Sequence, residues 1–205
     1  VYDAATDRVT SQMYGPGTST IVYGTDASGN KTSEVTDRKG FRTKFTFDTA
    51  GHITRQEEFT DGNPVGEPFS YVTLYEYNAA GERTRVVLPR GNATEFTYDA
   101  KGNVMEIRRK KIGIPKGVND PTDLVTTFTY ESSFNFAKTV TDPRGNVTTS
   151  TYDYELGESA KGNLRKITAP SVGGQTIEAT VTYNSFGQPL TLTDPNGSVT
   201  SYGYD

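Results

Sequence analysis

The sequence has no cysteine, no tryptophan and one histidine, His52. The lack of cysteine excludes disulfide bonds, thiolate nucleophiles and cysteine metal sites. A metal site or a general base built on His52 would need partner residues that the sequence does not supply, so we interpret His52 as a turn residue. No serine has the glycine pattern of a nucleophile elbow. The sequence therefore predicts no enzyme activity and no catalytic, cofactor-binding or metal-binding residue.

The sequence also has little excess charge and no long apolar run. Its 21 basic and 25 acidic residues give a net charge of −4, which does not favour nucleic acid as a partner. We predict no membrane insertion by this segment, and neither a signal peptide nor a lipidation motif is visible. Basic residues cluster locally at 108–111 and at Lys116. We interpret this cluster as a solvated loop or a charge-protected edge strand, with an acidic partner as the alternative.

What the sequence does contain is a recurring pair, an aromatic residue followed by an acidic or turn residue. The pairs are Tyr2-Asp3, Phe47-Asp48, Tyr77-Asn78, Tyr98-Asp99, Tyr130-Glu131, Tyr152-Asp153, Tyr183-Asn184 and Tyr204-Asp205. Such recurrence indicates one supersecondary unit copied many times, which is typical of a scaffold or a binding surface.

The spacing of the aromatic residues gives the length of the unit. One series runs at intervals of 54, 53 and 53 residues and a second at 51, 54 and 52. The two series are Tyr23, Tyr77, Tyr130 and Tyr183, and then Phe47, Tyr98, Tyr152 and Tyr204. We therefore predict that residues 1–205 form one continuous array of about four double repeats of about 53 residues each.

Two kinds of turn separate short stretches in which aromatic and polar residues alternate. The first kind is the Asp-Pro-Xaa-Gly type at 37–40, 88–91, 142–145 and 194–197, and the second follows the aromatic residue, as in 99–103. Alternation with a period of two residues, as in Thr94, Phe96 and Tyr98, predicts strands. Proline presets one turn position and glycine tolerates the strained one. The alternative to a turn role is a catalytic pair of carboxylates formed by Asp142 and Asp194. Repetition disfavours this alternative, because residues repeated in every copy normally serve the fold.

Residues 94–104 and 142–153 closely resemble the YD repeats of Rhs proteins, which insecticidal toxin-complex shells and the teneurins share. The resemblance covers essentially the whole chain. It implies an all-β fold of tandem antiparallel β-hairpins that form a curved, spiralling single-layer sheet, as a segment of an Rhs-type β-shell. Two copies depart from the pattern: Tyr130-Glu131 lacks its following glycine, and Tyr152-Asp153 reaches Gly162 only after an insertion.

The resemblance implies a structural role in an exported Rhs-like toxin, as part of a hollow shell that encapsulates a C-terminal effector. The expected partners are the remainder of the shell, an enclosed toxin polypeptide, and secretion-machinery proteins or cell-surface glycans. Bacterial export to the outside or the cell surface is favoured, and no self-cleavage motif is evident. Because both ends fall on the repeat motif, we expect a fragment of a larger shell.

The alternative function is an extracellular carbohydrate-binding or cell-adhesion module. In such a module exposed tyrosine rings would stack on sugar rings. The direction of the tyrosines distinguishes the two functions, because rings packed into the wall favour a shell and an exposed aromatic strip favours a sugar binder.

Overall fold

The computed structural model describes residues 1–15, 17–60, 66–158 and 161–205. The chain divides into two compact units. The first comprises Val1–Phe96 and Arg109–Asp123, and the second comprises Thr97–Arg108 and Leu124–Asp205.

The first unit consists of antiparallel strands whose order follows the chain. They are β1 (Ser11–Tyr14), β2 (Gly17–Thr25), β3 (Lys31–Thr36), β4 (Arg42–Phe47), β5 (Ile53–Phe59), β6 (Ser70–Tyr77), β7 (Arg83–Val87) and β8 (Ala93–Tyr98) up to Phe96. Phe45 of β4, for example, pairs with Gln56 of β5 and with Ser33 of β3.

The second unit repeats this arrangement. Its strands are β9 (Val104–Lys110) up to Arg108, β10 (Leu124–Tyr130), β11 (Ala137–Thr141), β12 (Val147–Tyr152), β13 (Leu164–Val172), β14 (Gln175–Tyr183), β15 (Pro189–Thr193) and β16 (Val199–Ser201). A 3-10 helix, Asp153–Leu156, follows β12, and the described residues contain no α-helix. The predicted fold class, all-β with tandem antiparallel hairpins, is confirmed.

Alternation along the strands gives the second unit two chemically different faces, because successive side chains point to opposite sides of a sheet. We call one side the hydroxyl face; it carries Thr127, Thr129, Thr139, Thr141, Thr149, Thr151, Thr168, Thr180, Thr182, Thr191 and Thr193. We call the other side the aromatic face; it carries Phe128, Tyr130, Val140, Tyr152, Ile167, Val181, Tyr183 and Leu192.

In the first unit the polar face carries ion pairs between neighbouring positions. Arg42 lies 3.1 Å from Glu34, and Arg85 lies 3.1 Å from Glu76. Such cross-strand pairs of opposite charge stabilise a sheet modestly. The opposite face of this unit again carries aromatic and aliphatic side chains, among them Val35, Phe45, Tyr75 and Val86.

A single layer of strands buries few side chains completely. Among the described apolar residues only Ala93 and Tyr152 are buried. The remaining apolar side chains are shielded mainly by their neighbours on adjacent strands, so each hairpin depends on the next for its stability. In the described ranges, no helix has the length and apolar character that crossing a bilayer requires.

Consecutive antiparallel strands place alternate turns at opposite edges of each unit. In the first unit the turns 26–30, 48–52 and 78–82 lie at one edge, and 37–41 and 88–92 lie at the other. Four strands, β4 to β7, separate the turns 37–41 and 88–92. The same number, β12 to β15, separates 142–146 and 194–198 in the second unit. The total of about four double repeats stays a prediction.

Candidate functional site

The aromatic residue that ends every second strand carries the recurring chemistry of this chain. In β6 the hydroxyl of Tyr77 donates to the carbonyl oxygen of Ile53, the first residue of β5, at 3.0 Å. The same bond joins Tyr23 to Val9 at 3.1 Å, Tyr130 to Val104 at 2.9 Å, Tyr152 to Ala137 at 2.8 Å, Tyr183 to Leu164 at 2.8 Å and Tyr204 to Pro189 at 2.7 Å. We call this bond the tyrosine latch. At Tyr77, Tyr130, Tyr152 and Tyr183 it ties the last residue of one strand to the first residue of the strand before it. Tyr23 lies within β2 and Tyr204 lies after β16.

A β-bulge lies opposite the aromatic residue that ends five of the strands. Tyr77 pairs with Arg83 while Glu76 pairs with Arg85, so Thr84 of the following strand is left out of the pairing. The same shift occurs opposite Phe47, Tyr130, Tyr152 and Tyr183. A bulge bends and twists a strand locally. Tyr77, Tyr130, Tyr152 and Tyr183 therefore each lie where the following strand bends, while their hydroxyl bonds to the preceding strand.

Burial raises the pKa of four of the latch hydroxyls, those of Tyr77, Tyr130, Tyr152 and Tyr183. The rings are mostly packed into the wall of the sheet, and Tyr152 is 7% exposed. Tyr23 and Tyr204 are more open, at 39% and 47%.

The acidic residue after the aromatic organises the turn. The Oδ1 atom of Asp99 accepts from the backbone N–H groups of Lys101 at 2.8 Å and Asn103 at 2.9 Å. The N–H group of Gly102 donates to the carbonyl of Asp99, and the amide of Asn103 donates to Oδ2 at 2.8 Å. The Asn103 amide and these backbone donors lower the pKa of Asp99. Gly102 has a φ of 86°, a conformation that glycine adopts without strain.

The two kinds of turn in the sequence are one kind of turn in the structure. The Asp142 turn has the same bonds, at 2.8 Å from the N–H groups of both Arg144 and Asn146. We call this the capped turn; it also occurs at Asp26, Asp37, Asp48, Asn78, Asn184 and Asp194. Leu88 keeps the backbone bonds of the turn but has no side-chain acceptor.

At the first departure from the repeat, Tyr130-Glu131, two other residues stabilise the turn that lacks its glycine. Asn135 takes the left-handed conformation with a φ of 63°, which asparagine tolerates better than most residues. The Glu131 carboxylate accepts from the N–H groups of Ser133, Phe134 and Phe136 at 2.6 to 3.1 Å. Burial alone would raise the pKa of Glu131, but these donors outweigh it and lower the pKa to about 2.

The second departure, at Tyr152-Asp153, keeps its acidic residue across the insertion. The N–H group of Asp153 donates to the carbonyl of Asn163 at 2.9 Å, and its Oδ1 accepts from Gly162 at 3.0 Å. Asp153 is 1% exposed. The insertion therefore begins at Asp153 and ends at Asn163, two residues that are hydrogen-bonded to each other. The strands on either side of the insertion keep their positions.

These two unusual turns meet in an aromatic cluster. Phe134 stacks on Phe136 at 5.7 Å, and the rings of Tyr152 and Tyr154 complete the cluster at 5.3 to 6.0 Å. A side chain at Gly162 would lie 2.9 Å from Phe136, so glycine is needed for this packing. Burial, and next the neighbouring Glu131, raise the pKa of Tyr154.

The basic cluster predicted at 108–111 does not form one charged surface. Lys110 is buried at 4% exposure, with its ammonium 3.3 Å from Glu95 and donating to the carbonyls of Pro115 and Val118. Lys116 pairs with Glu76, and Arg108 pairs with Glu106 at 2.9 Å. Neither the solvated-loop interpretation nor the acidic-partner interpretation anticipated this. The sequence alone did not predict this arrangement, because the burial of Lys110 depends on how the connection 111–123 folds back.

The residues weighed as catalytic candidates are engaged in the fold. His52 lies in a capped turn, with Nδ1 3.0 Å from Asp48 and its ring stacked on Tyr77 at 4.6 Å. Asp142 and Asp194 each cap their own turn. Among the side chains that the structure describes, no group of three histidine, cysteine or acidic residues is arranged to hold a metal ion.

Latches, bulges and capped turns recur in both units and define the class: an array of antiparallel β-hairpin repeats. The RHS Repeat family model matches residues 77–110 and 183–205. These two stretches are similar to RHS repeats. Comparison with curated proteins gives no match.

Solved structures share the fold. The crystal structure of TcdB2-TccC3-TEV matches 98% of this chain with a TM-score of 0.67 and 19% identity. The crystal structure of TcdB2-TccC3-Cdc42 matches 92% with a TM-score of 0.62 and 19% identity. The chain spans about 10% of the length of each matched chain.

Proposed function

We propose that this chain is a structural segment of the shell of an exported, Rhs-like bacterial toxin, and that the shell encloses a C-terminal effector polypeptide. In this proposal the chain is one part of a longer repeat array and has no enzymatic role. Its partners are the rest of the shell and the enclosed effector, together with proteins of the secretion machinery.

The observation that carries the proposal is the tyrosine latch with its bulge. Each latch joins a strand to the one before it, and each bulge sits opposite the aromatic residue on the strand after it. The pattern therefore repeats along the order of the strands, and a bend recurs opposite Phe47, Tyr77, Tyr130, Tyr152 and Tyr183. A sheet to which hairpins are added in one direction, with a bend at each bulge, is suited to enclosing a volume. The TcdB2-TccC3 structures support the proposal, since their names include two different further components, TEV and Cdc42.

Protection of the effector tests the proposal. In the full-length protein, a protease should digest the C-terminal effector region only after the shell is opened by denaturant. The control is the effector region expressed alone, which should be digested at once. Equal digestion of the two would exclude enclosure.

Glycan binding is the second candidate, and one observation favours it. An open cleft of about 600 Å³ is lined by Asp3, Arg8, Tyr23 and Lys31 among others. The Arg8 guanidinium, however, already lies 5.1 Å from the centre of the Tyr23 ring and competes with a stacked sugar. Binding to a glycan array that Tyr23→Ala abolishes without unfolding the chain would favour this candidate over the shell.

A further inference from the structure

One turn of the second unit carries an apolar side chain that the repeat does not place there. Phe186 holds the third position of the turn 184–188 and is 85% exposed. The other capped turns have small or polar residues at this position, namely Ser28, Lys39, Ala50, Ala80, Lys101, Arg144 and Asn196. The geometry of the capped turn therefore does not require the ring of Phe186.

Three more exposed apolar side chains lie at the same edge of the unit. Phe134, Phe136 and Leu156 are 40%, 41% and 50% exposed, and they belong to the two turns that depart from the repeat. These turns and the turn 184–188 touch one another: Gly162 lies against both phenylalanine rings, and the residue after it lies against the turn of Phe186. We call these four side chains the phenylalanine edge. A patch of exposed apolar side chains, unlike a single one, marks a site of interaction.

A cavity of about 240 Å³ beside this edge is lined by an unpaired side-chain amide. Where a capped turn ends in asparagine, the amide donates to the aspartate that begins the turn, as Asn146 does to Asp142 at 2.8 Å. Asn163 holds this place after the insertion, but Oδ1 of Asp153 already accepts from two backbone N–H groups. Within the ranges that the structure describes, the Asn163 amide has no hydrogen-bond partner, and it faces the cavity together with Ser185.

The charges that line this cavity are balanced. The two acidic and two basic residues are Asp153, Glu158, Lys161 and Arg165. The Nε of Arg165 lies 2.6 Å from a carboxylate oxygen of Glu158, and the Lys161 ammonium donates to a backbone carbonyl of the turn 184–188. A strongly charged partner would gain little from this surface. Charge complementarity therefore favours an uncharged partner with apolar side chains.

The unpaired amide restricts the backbone conformation of that partner. The carbonyls of a helix bond within the helix, so a helical partner would leave the Asn163 amide without an acceptor. A partner that adds a β-strand needs an exposed strand edge, whereas these residues lie in turns. A polyproline II segment has no internal hydrogen bonds, so its carbonyls accept from outside, and its proline rings pack on exposed aromatic rings.

We infer that the phenylalanine edge binds a proline-rich segment of a partner protein in the polyproline II conformation. Its proline rings pack on Phe186 and on the rings of Phe134 and Phe136, and one of its carbonyls accepts from the Asn163 amide. The inference goes beyond the proposed function and does not depend on it, because a segment bound at a row of turns requires no enclosed volume.

Binding of fluorescein-labelled decaproline to the 205-residue chain, followed by fluorescence anisotropy, tests the inference. Phe186→Ser, which installs the residue found in the turn 26–30, should weaken binding by at least about tenfold, because truncation of an aromatic anchor is costly. Phe186→Tyr keeps the ring and should bind as the parent does. The matched control is Phe41→Ser, which removes an exposed phenylalanine of the first unit and should leave binding unchanged. Asn163→Ala should weaken binding about fivefold by the loss of one hydrogen bond.

Two further peptides of the same length identify the partner class. A peptide of alternating glycine and serine should not bind. Binding of an amphipathic leucine-lysine helix in place of decaproline would overturn the polyproline II assignment, and so would full binding by Asn163→Ala. Equal weakening by Phe186→Ser and Phe41→Ser would overturn the location. Dimers of the chain that Phe186→Ser dissociates would make the edge a contact between copies. No binding of decaproline would overturn the inference and leave the protease test of enclosure unaffected.

Discussion

Asn103 and Asn135 are joined by both of their side-chain amides, each Nδ2 donating to the Oδ1 of the other at 2.9 Å. The two residues belong to neighbouring turns at one edge of the second unit. Farther along the same edge, the rings of Phe134 and Phe136 pack against Gly162, and Lys161 donates to the carbonyl of Ser185. Each turn along this edge therefore contacts the next one. The edge is held together by contacts between turns as well as by the pairing of the strands.

The latch of Tyr152 separates the effect of a hydroxyl from that of a ring. Tyr152→Phe removes only the bond to the Ala137 carbonyl, and we expect it to lower the free energy of unfolding by about 0.5–1.5 kcal/mol. Tyr152→Ala also removes a buried ring and should cost about 3–5 kcal/mol. Urea unfolding of both variants checks this. Equal losses would show that the ring contributes nothing beyond its hydroxyl, and no loss for Tyr152→Phe would show that the latch bond contributes nothing.

The converse change adds a latch where the chain lacks one. Phe47 occupies a tyrosine position, and a cavity of about 260 Å³ beside it is lined by Lys31, the first residue of β3. By the pattern of the other copies, Phe47→Tyr should donate to the Lys31 carbonyl and raise the free energy of unfolding by about 0.5–1.5 kcal/mol. The matched control is Phe45→Tyr, which has no latch position and should not stabilise. A loss of stability for Phe47→Tyr would show that the latch cannot be transferred between copies.

The sequence predicted the strands and turns because their chemistry is local. Alternation places Phe96 and Tyr98 on one face, and aspartate with glycine three residues later specifies the capped turn. The acceptor of each latch was not predictable, since it is a backbone carbonyl and any residue can supply it, as Ile53 and Ala137 do. The left-handed backbone at Asn135 was predictable from the sequence, because asparagine is among the few residues that tolerate this conformation. Nothing in the sequence indicated the burial of Lys110.

The uncapped turn at Leu88 allows a gain of stability. Leu88 is 44% exposed and its turn has the same backbone bonds as the others. Leu88→Asp would supply an acceptor for the N–H groups of Arg90 and Asn92, and we expect it to raise the free energy of unfolding by about 0.5–1.5 kcal/mol. Asp142→Leu is the reciprocal change and should lower the urea midpoint. If Leu88→Asp destabilises the chain, the apolar contacts of Leu88 outweigh a cap.

Buried Lys110 should be essential to the connection 111–123. Lys110→Met keeps the length of the side chain but removes its donors to Pro115, Val118 and Glu95, and should cost about 1.5–3 kcal/mol. Lys111→Met, at the exposed neighbouring position, should have little effect. Hydrogen exchange should accelerate in residues 111–123 of the first variant alone. Unchanged exchange there would mean that Lys110 does not hold the connection.

The capped turns make stability depend on acid in a predictable direction. The pKa of Glu131 is lowered from its usual 4.5 to about 2, and hydrogen bonds from Asn146 and its turn lower the pKa of Asp142. A carboxyl group whose pKa is depressed by folding contributes stability that is complete above its unfolded pKa and is lost as the pH falls through the folded value. The free energy of unfolding should therefore be level from pH 7 to about pH 5 and fall toward pH 2.

Glu131→Gln should be less stable than the parent at pH 7, and the difference should shrink as the pH approaches 2, because the parent then loses the same carboxylate. Urea unfolding at each pH measures both curves, with Ser132→Ala, an exposed position in the same turn without a titrating group, as the control that should run parallel to the parent. A constant difference between Glu131→Gln and the parent down to pH 2 would show that the charge of Glu131 is not what its three backbone donors stabilise.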